Sequence, residues 1–168
     1  EEGTCINPFP SDVLGVRVMP RNIYSHALGV ERRDGTRQFA VSRVVDASAG
    51  RVWDVLTDTT RWDEWGPSVA AVDCPTRYVH EGVTGQVRVS RTGLWVPFEI
   101  DSYVDGEETK RWTWRVARIP ATGHRVDALG EQCRVTFEVP LVAAGYVPVC
   151  RRALDRLARL VESRGPDE

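Results

Sequence analysis

The sequence predicts an α+β domain in which a curved, seven-stranded antiparallel sheet is covered on one face by a single long C-terminal helix. Three observations carry this expectation. From Val69 to Leu141, β-rich runs are separated by Glu81-Gly82, Thr92-Gly93, Asp105-Gly106, Thr122-Gly123 and Leu129-Gly130, pairs that tolerate positive φ. Connections this short pair neighbouring strands antiparallel. Within the runs, Trp112, Trp114 and Val116 alternate with Arg111, Thr113 and Arg115, and Cys133, Val135, Phe137 and Val139 alternate with Arg134, Thr136 and Glu138, so one face is apolar and the other polar. Finally, Val147, Cys150, Leu154, Leu157 and Val161 step by three and four, the stripe of an amphipathic helix.

The elements follow in chain order. Residues 1–37 contain Pro8, Pro10 and Pro20 with Gly3, Gly15 and Gly29 and hold no sustained period; they read as an irregular extension, in which Val13, Leu14, Val16 and Val18 could add a strand. The regular pattern opens at Gln38, with Phe39, Val41 and Val45 on one parity. Arg43 interrupts that face, either as a snorkelling edge residue or as a charge reaching into a pocket. Ser48 offers an N-cap oxygen to a short helix with Ala49, Val52, Trp53 and Leu56 on one stripe. Thr60 caps a further turn carrying Trp62 and Trp65 before Gly66-Pro67 ends it. After the strands, Pro148 suits the first turn of the last helix and Gly165-Pro166 its end, so the domain spans 38–163 and 164–168 are a tail.

A chain of 168 residues is long enough for one domain with its own core. A formal net charge of -2, with 27% charged and 42% hydrophobic residues, gives no basic field for nucleic acid, and Arg151, Arg152, Arg156 and Arg159 interleave with Asp155 as a solvated helix face. Cys5, Cys74, Cys133 and Cys150 are scattered, as are His26, His80 and His124, so no structural metal site is expected and the cysteines read as free thiols of a reducing, cytoplasmic compartment. No run approaches the length of a membrane span, and no signal-peptide pattern is present. The chain begins at Glu1 rather than Met, as a processed or trimmed N-terminus would.

The segment Val41-Ser42-Arg43-Val44-Val45-Asp46-Ala47, then Val52-Trp53-Asp54-Val55-Leu56-Thr57-Asp58 and Arg61-Trp62-Asp63-Glu64-Trp65, resembles the opening of the START-like helix-grip (SRPBCC) superfamily. Arg111-Trp112-Thr113-Trp114-Arg115-Val116 running into Ala121-Thr122-Gly123-His124-Arg125-Val126 is similar to the late strand pair of bacterial members of its polyketide cyclase/dehydratase and lipid-transport branch. The resemblance covers about Gln38 to Glu162 and implies a ligand held between sheet and C-terminal helix. It specifies fold far better than activity.

On that placement the inward positions Phe98, Ile100, Trp112, Trp114, His124, Val126, Val135 and Phe137, with Leu154 from the helix and Trp65 near the mouth, become the expected ligand-cavity residues. Each is equally a core position by type. His124 shares the parity of Val126 and is the candidate acid or base. Glu99, Asp101 and Tyr103 fall on the opposite parity from Phe98 and Ile100 unless a bulge near Pro97 reverses it, and Arg115 reads as outward. No nucleophile elbow, phosphate loop or zinc-protease motif occurs, and no cofactor is implied. Three functions follow: a carrier of an apolar or amphipathic small molecule, a polyketide cyclase/dehydratase using His124 with Arg43 or Tyr103, or a partner-binding module with a vestigial pocket.

Overall fold

Among the described residues, alternating side chains build a single antiparallel sheet of eight strands, in the order β1-β2-β8-β7-β6-β5-β4-β3. The computed structural model describes residues 26–163. The strands are β1 (Ala27–Arg33), β2 (Thr36–Val45), β3 (Val69–Asp73), β4 (Thr84–Val89), β5 (Trp95–Asp105), β6 (Thr109–Val116), β7 (Ile119–Leu129) and β8 (Gln132–Pro140). Helices α1 (Ala49–Thr57) and α2 (Trp62–Trp65) carry the chain from β2 to the far edge at β3, and α3 (Val147–Glu162) closes the domain. This is the helix-grip architecture.

One strand more than expected is present, because Ala27–Arg33 lies within the segment read as irregular. It pairs with β2 through Asp34-Gly35, whose φ values of 50° and 78° are those of a tight hairpin turn. The suggested strand at Val13–Val18, Cys5 and the tail 164–168 lie outside the described residues.

Ser48 accepts from the Arg51 amide and caps α1. The following turn is capped by Asp58 rather than Thr60. Asp58 Oδ1 accepts from the Thr60 amide at 3.1 Å, while Arg77 holds Oδ2 from Nε at 3.1 Å and Nη2 at 2.9 Å. Gly66 ends α2 at a close approach, since a Cβ there would stand 2.7 Å from the Trp62 carbonyl oxygen.

Helix α3 buries Cys150, Ala153, Leu154, Leu157, Ala158 and Val161 against Val41, Val45, Val135 and Val139 of the sheet. Its polar side is tied down as well. Arg43 is one-tenth exposed and donates from Nη1 to Asp155 of α3, which His26 Nε2 also approaches at 3.1 Å. Arg43 therefore neither snorkels at an edge nor enters a pocket; it joins sheet to helix.

The opposite face carries a polar cluster centred on Glu138, which is 1% exposed. Arg111 donates to it from Nε at 2.9 Å and Nη2 at 2.7 Å, and Arg125 and Arg33 approach at 3.5 and 3.4 Å. The β1–β2 hairpin folds over this face, since Glu31 takes Arg125 at 3.1 Å and Asp34 meets Arg111 at 3.5 Å. Gly123 makes room for the arrangement: a Cβ at that position would lie 2.5 Å from Glu138 Oε2.

Candidate ligand site

Aromatic residues of the sheet's inner face meet α2 and fill the space that α3 leaves. Trp112 is stacked with Trp62, ring centroids 5.4 Å apart and planes 3° apart, and with His124 at 3.9 Å and 20°. Trp114 stands edge-on to Trp62 at 5.3 Å, and Phe137 and Trp65 meet His124 at 4.8 and 5.9 Å. Offset and edge arrangements of this kind suit the ring quadrupoles. Their volume leaves an inner void of only about 30 Å³, bounded by Trp62, Trp65, Trp112, Trp114, His124, Phe137 and the first turns of α3. That is room for about two waters, far from a lipid.

A roomier compartment with mainly apolar walls lies at the end of the sheet. This groove of about 600 Å³ runs between Val87 and Val89 of β4, the β6–β7 hairpin (Val116, Ile119, Pro120, Ala121) and the segment Pro140–Tyr146 before α3. Small-molecule sites typically measure ~300 to 1,000 Å³. Ser68, Val69, Trp114, Thr122 and Tyr146 border both spaces and form the partition between them. Across it Ser68 Oγ and Tyr146 Oη share a hydrogen bond, and burial pushes the Tyr146 phenol above its ordinary pKa.

Polar atoms at the inner void are few. Trp114 Nε1 donates to Thr122 Oγ1 at 3.3 Å, and His124 Nε2 lies 3.4 Å from the same oxygen. The indole N–H groups of Trp65 and Trp112 are buried without a partner. Both rings border the void, so an acceptor oxygen placed there would relieve an unmet donor.

His124 is 3% exposed, and burial pulls its pKa down to about 3, against a smaller opposing contribution from the Trp112 backbone. At pH 7 only on the order of one ring in 10,000 would be protonated. The ring is an aromatic wall and a neutral hydrogen-bonding group, poorly suited to donating a proton.

Of the expected cavity residues, Trp65, Trp112, Trp114, His124 and Phe137 border the void. Phe98, Ile100, Val126, Val135 and Leu154 sit in the surrounding core, all 3% exposed or less. Tyr103, expected on the solvent face, turns inward because β5 bulges between Ile100 and Ser102 rather than near Pro97; its hydroxyl accepts from Trp53 Nε1 at 3.1 Å. Arg115 is outward, paired with Asp101 at 2.9 Å. His124, Arg43 and Tyr103 are thus not gathered at one site: each has its own partner, and among them only His124 borders the void. Sequence reasoning missed Ser68, Ile119 and Tyr146, which stand in turns or at element ends where periodicity gives no orientation, and Thr122, which the sequence places with Gly123 in a turn but which lies inside β7, the turn falling at Ala117-Arg118 instead.

Among the described residues no group of histidine, cysteine and carboxylate side chains could hold a metal ion, and no helix is long and apolar enough to cross a membrane.

Solved structures share this architecture at low identity. A STAR-related lipid transfer protein fragment from Xanthomonas axonopodis is 14% identical, with a TM-score of 0.59 over 82% of this chain and 98% of that one. A START superfamily protein from Mycobacterium smegmatis is 15% identical, with a TM-score of 0.52 over 75% and 97%. CalU16 from Micromonospora echinospora is 16% identical, with a TM-score of 0.52 over 89% and 81%. No curated protein matches. Residues 36–162, from the start of β2 to the end of α3, match the family model described as polyketide cyclase / dehydrase and lipid transport, and the chain belongs to that family.

Proposed function

We propose that this protein binds and carries an apolar or amphipathic small molecule whose body lies in the end groove and whose hydrogen-bond acceptor reaches toward the inner void. The observation that carries this reading is the pairing of an apolar groove of about 600 Å³ with a small void bordered by two unpartnered indole donors. The family and the lipid-transfer neighbour from Xanthomonas axonopodis are in keeping with it. Nothing comparable favours cyclisation, because among the described residues the titratable side chains bordering the void are Tyr146, Cys150 and a histidine held neutral. The test is capture and displacement. Protein purified without detergent is extracted and the extract analysed by mass spectrometry, and a fluorescent fatty acid is titrated into the delipidated protein. Saturable one-to-one binding that is lost in Ala121→Trp, which fills the groove, is expected. Absence of any bound lipid, sterol or aromatic probe would overturn the reading.

A further inference from the structure

The two ends of the sheet differ in chemistry. Turns 66–69, 89–95 and 116–121 and the segment 140–146 all lie at the end where the groove opens, because β4, β6 and β8 finish there and β3, β5 and β7 begin there. These four stretches contain no Asp or Glu and two arginines, Arg91 and Arg118, in a chain with 24 acidic residues and a net charge of -2. The β1–β2 turn is no part of this end, since it folds over the outer face, where its Asp34 meets Arg111. At the opposite end the turns carry Asp46, Asp105, Glu107, Glu108 and Glu131.

Exposed apolar side chains are densest at the same end. Leu94, Trp95, Ile119, Leu141, Val142 and Tyr146 stand there, six of the eleven large hydrophobics exposed among the described residues, against Tyr78, Val104 and Leu129 at the other end. Val142 is 99% exposed, Ile119 68% and Leu94 64%. A monomer does not place side chains in water at the tips of three separate turns for its own stability, and such clusters mark interaction surfaces.

We infer that the groove end docks on an anionic lipid bilayer, so that the mouth of the ligand groove faces the lipid. This rests on the carrier reading above. Projecting tips suit a soft, planar interface: aliphatic side chains enter the acyl boundary, the indole of Trp95 sits at headgroup level, and arginines engage lipid phosphates. Arg91 and Arg118 supply the attraction, and the acidic far end is repelled, which orients the molecule mouth-down. A folded protein partner would instead be met by a complementary concave surface.

The test is vesicle co-flotation of the full chain with phosphatidylcholine alone and with phosphatidylcholine mixed with phosphatidylglycerol, at low and high salt, alongside titration of the same fluorescent fatty acid in vesicle-free buffer. The variants are Arg91→Glu with Leu94→Asp, and Arg118→Asn, which suits the positive φ of 65° at that position. None of these residues borders the groove. Binding should require phosphatidylglycerol and weaken with salt, and the double variant should lose at least about tenfold in vesicle affinity while its probe affinity is unchanged. Vesicle binding that ignores lipid charge, or that survives the double variant, overturns the docking surface. Probe binding without vesicle binding by the wild-type chain likewise removes docking and leaves the carrier reading intact. Vesicle binding without probe binding does the reverse.

Discussion

Replacing His124 by Phe tests the buried aromatic wall through its pH dependence. The folded ring has a pKa of about 3 against an ordinary value of 6.5, with burial as the cause. Between these values the unfolded chain binds a proton that the native state refuses, so stability is fully present above pH 6.5 and is lost as the pH falls through that window toward 3. Near pH 4 the unfolded ring is charged while the folded one is still neutral. The difference, about 2.5 pKa units at roughly 1.4 kcal/mol each, amounts to about 3 kcal/mol lost between pH 7 and pH 4. For a domain whose total stability is ~5 to 15 kcal/mol this is a large fraction. His124→Phe keeps a ring between Trp112 and Phe137 but removes the titration. Urea unfolding monitored by tryptophan fluorescence at neutral and acidic pH should show the wild-type chain losing about 3 kcal/mol more than the variant on acidification. Equal losses in the two proteins would refute the neutral, buried ring, as would an NMR titration placing the His124 pKa near its ordinary value.

Gly123→Ala forces a Cβ to within 2.5 Å of Glu138 Oε2 and should destabilise by about 2 kcal/mol, read as a lowered melting temperature. Glu138→Gln keeps the shape but leaves Arg111 and Arg125 facing a neutral group, with a cost of about 3 kcal/mol in urea unfolding. Leu154→Ala, at a fully buried position away from the void, should cost about 2 to 5 kcal/mol and leave probe affinity within a factor of about two, separating core from ligand contact. Tyr146→Phe removes the hydrogen bond to Ser68 across the partition, and stopped-flow measurement should find faster probe association and release with little change in affinity.

Strand and helix periods made much of the architecture legible, because a half-buried strand and a half-buried helix must alternate in these ways to hide one face. The residues around β1 defeated that reading. Glu31 and Arg33 are charged because they reach the outer cluster of Glu138 and Arg125, and with Arg32, Arg37 and Gln38 they mask the alternation, although Asp34-Gly35 is itself a strong hairpin signal. Tyr103 was misplaced for a different reason. Its orientation depends on a bulge between Ile100 and Ser102, and one extra residue reverses every side chain after it without a mark in the composition. Asp58 displaced Thr60 as the cap because Arg77, distant in sequence, compensates its buried charge.

The size of the central void was the least legible quantity, since it depends on side-chain packing rather than on which face a residue occupies. Trp62, Trp65, Trp112, Trp114 and Phe137 have the same inward placement whether they ring an open cavity or close it, and here the parallel stack of Trp62 on Trp112 closes it. Space survives where the chain offers nothing large enough to fill it: Gly66, Pro67 and Ser68 after α2, Pro120 and Ala121 in β7, and Ala143, Ala144 and Gly145 before α3. Those small residues all stand at the same end as the exposed Leu94, Ile119 and Val142. A groove left open by short side chains and fringed by exposed apolar tips is therefore a property of one end of this sheet, while the aromatic centre beside it stays packed.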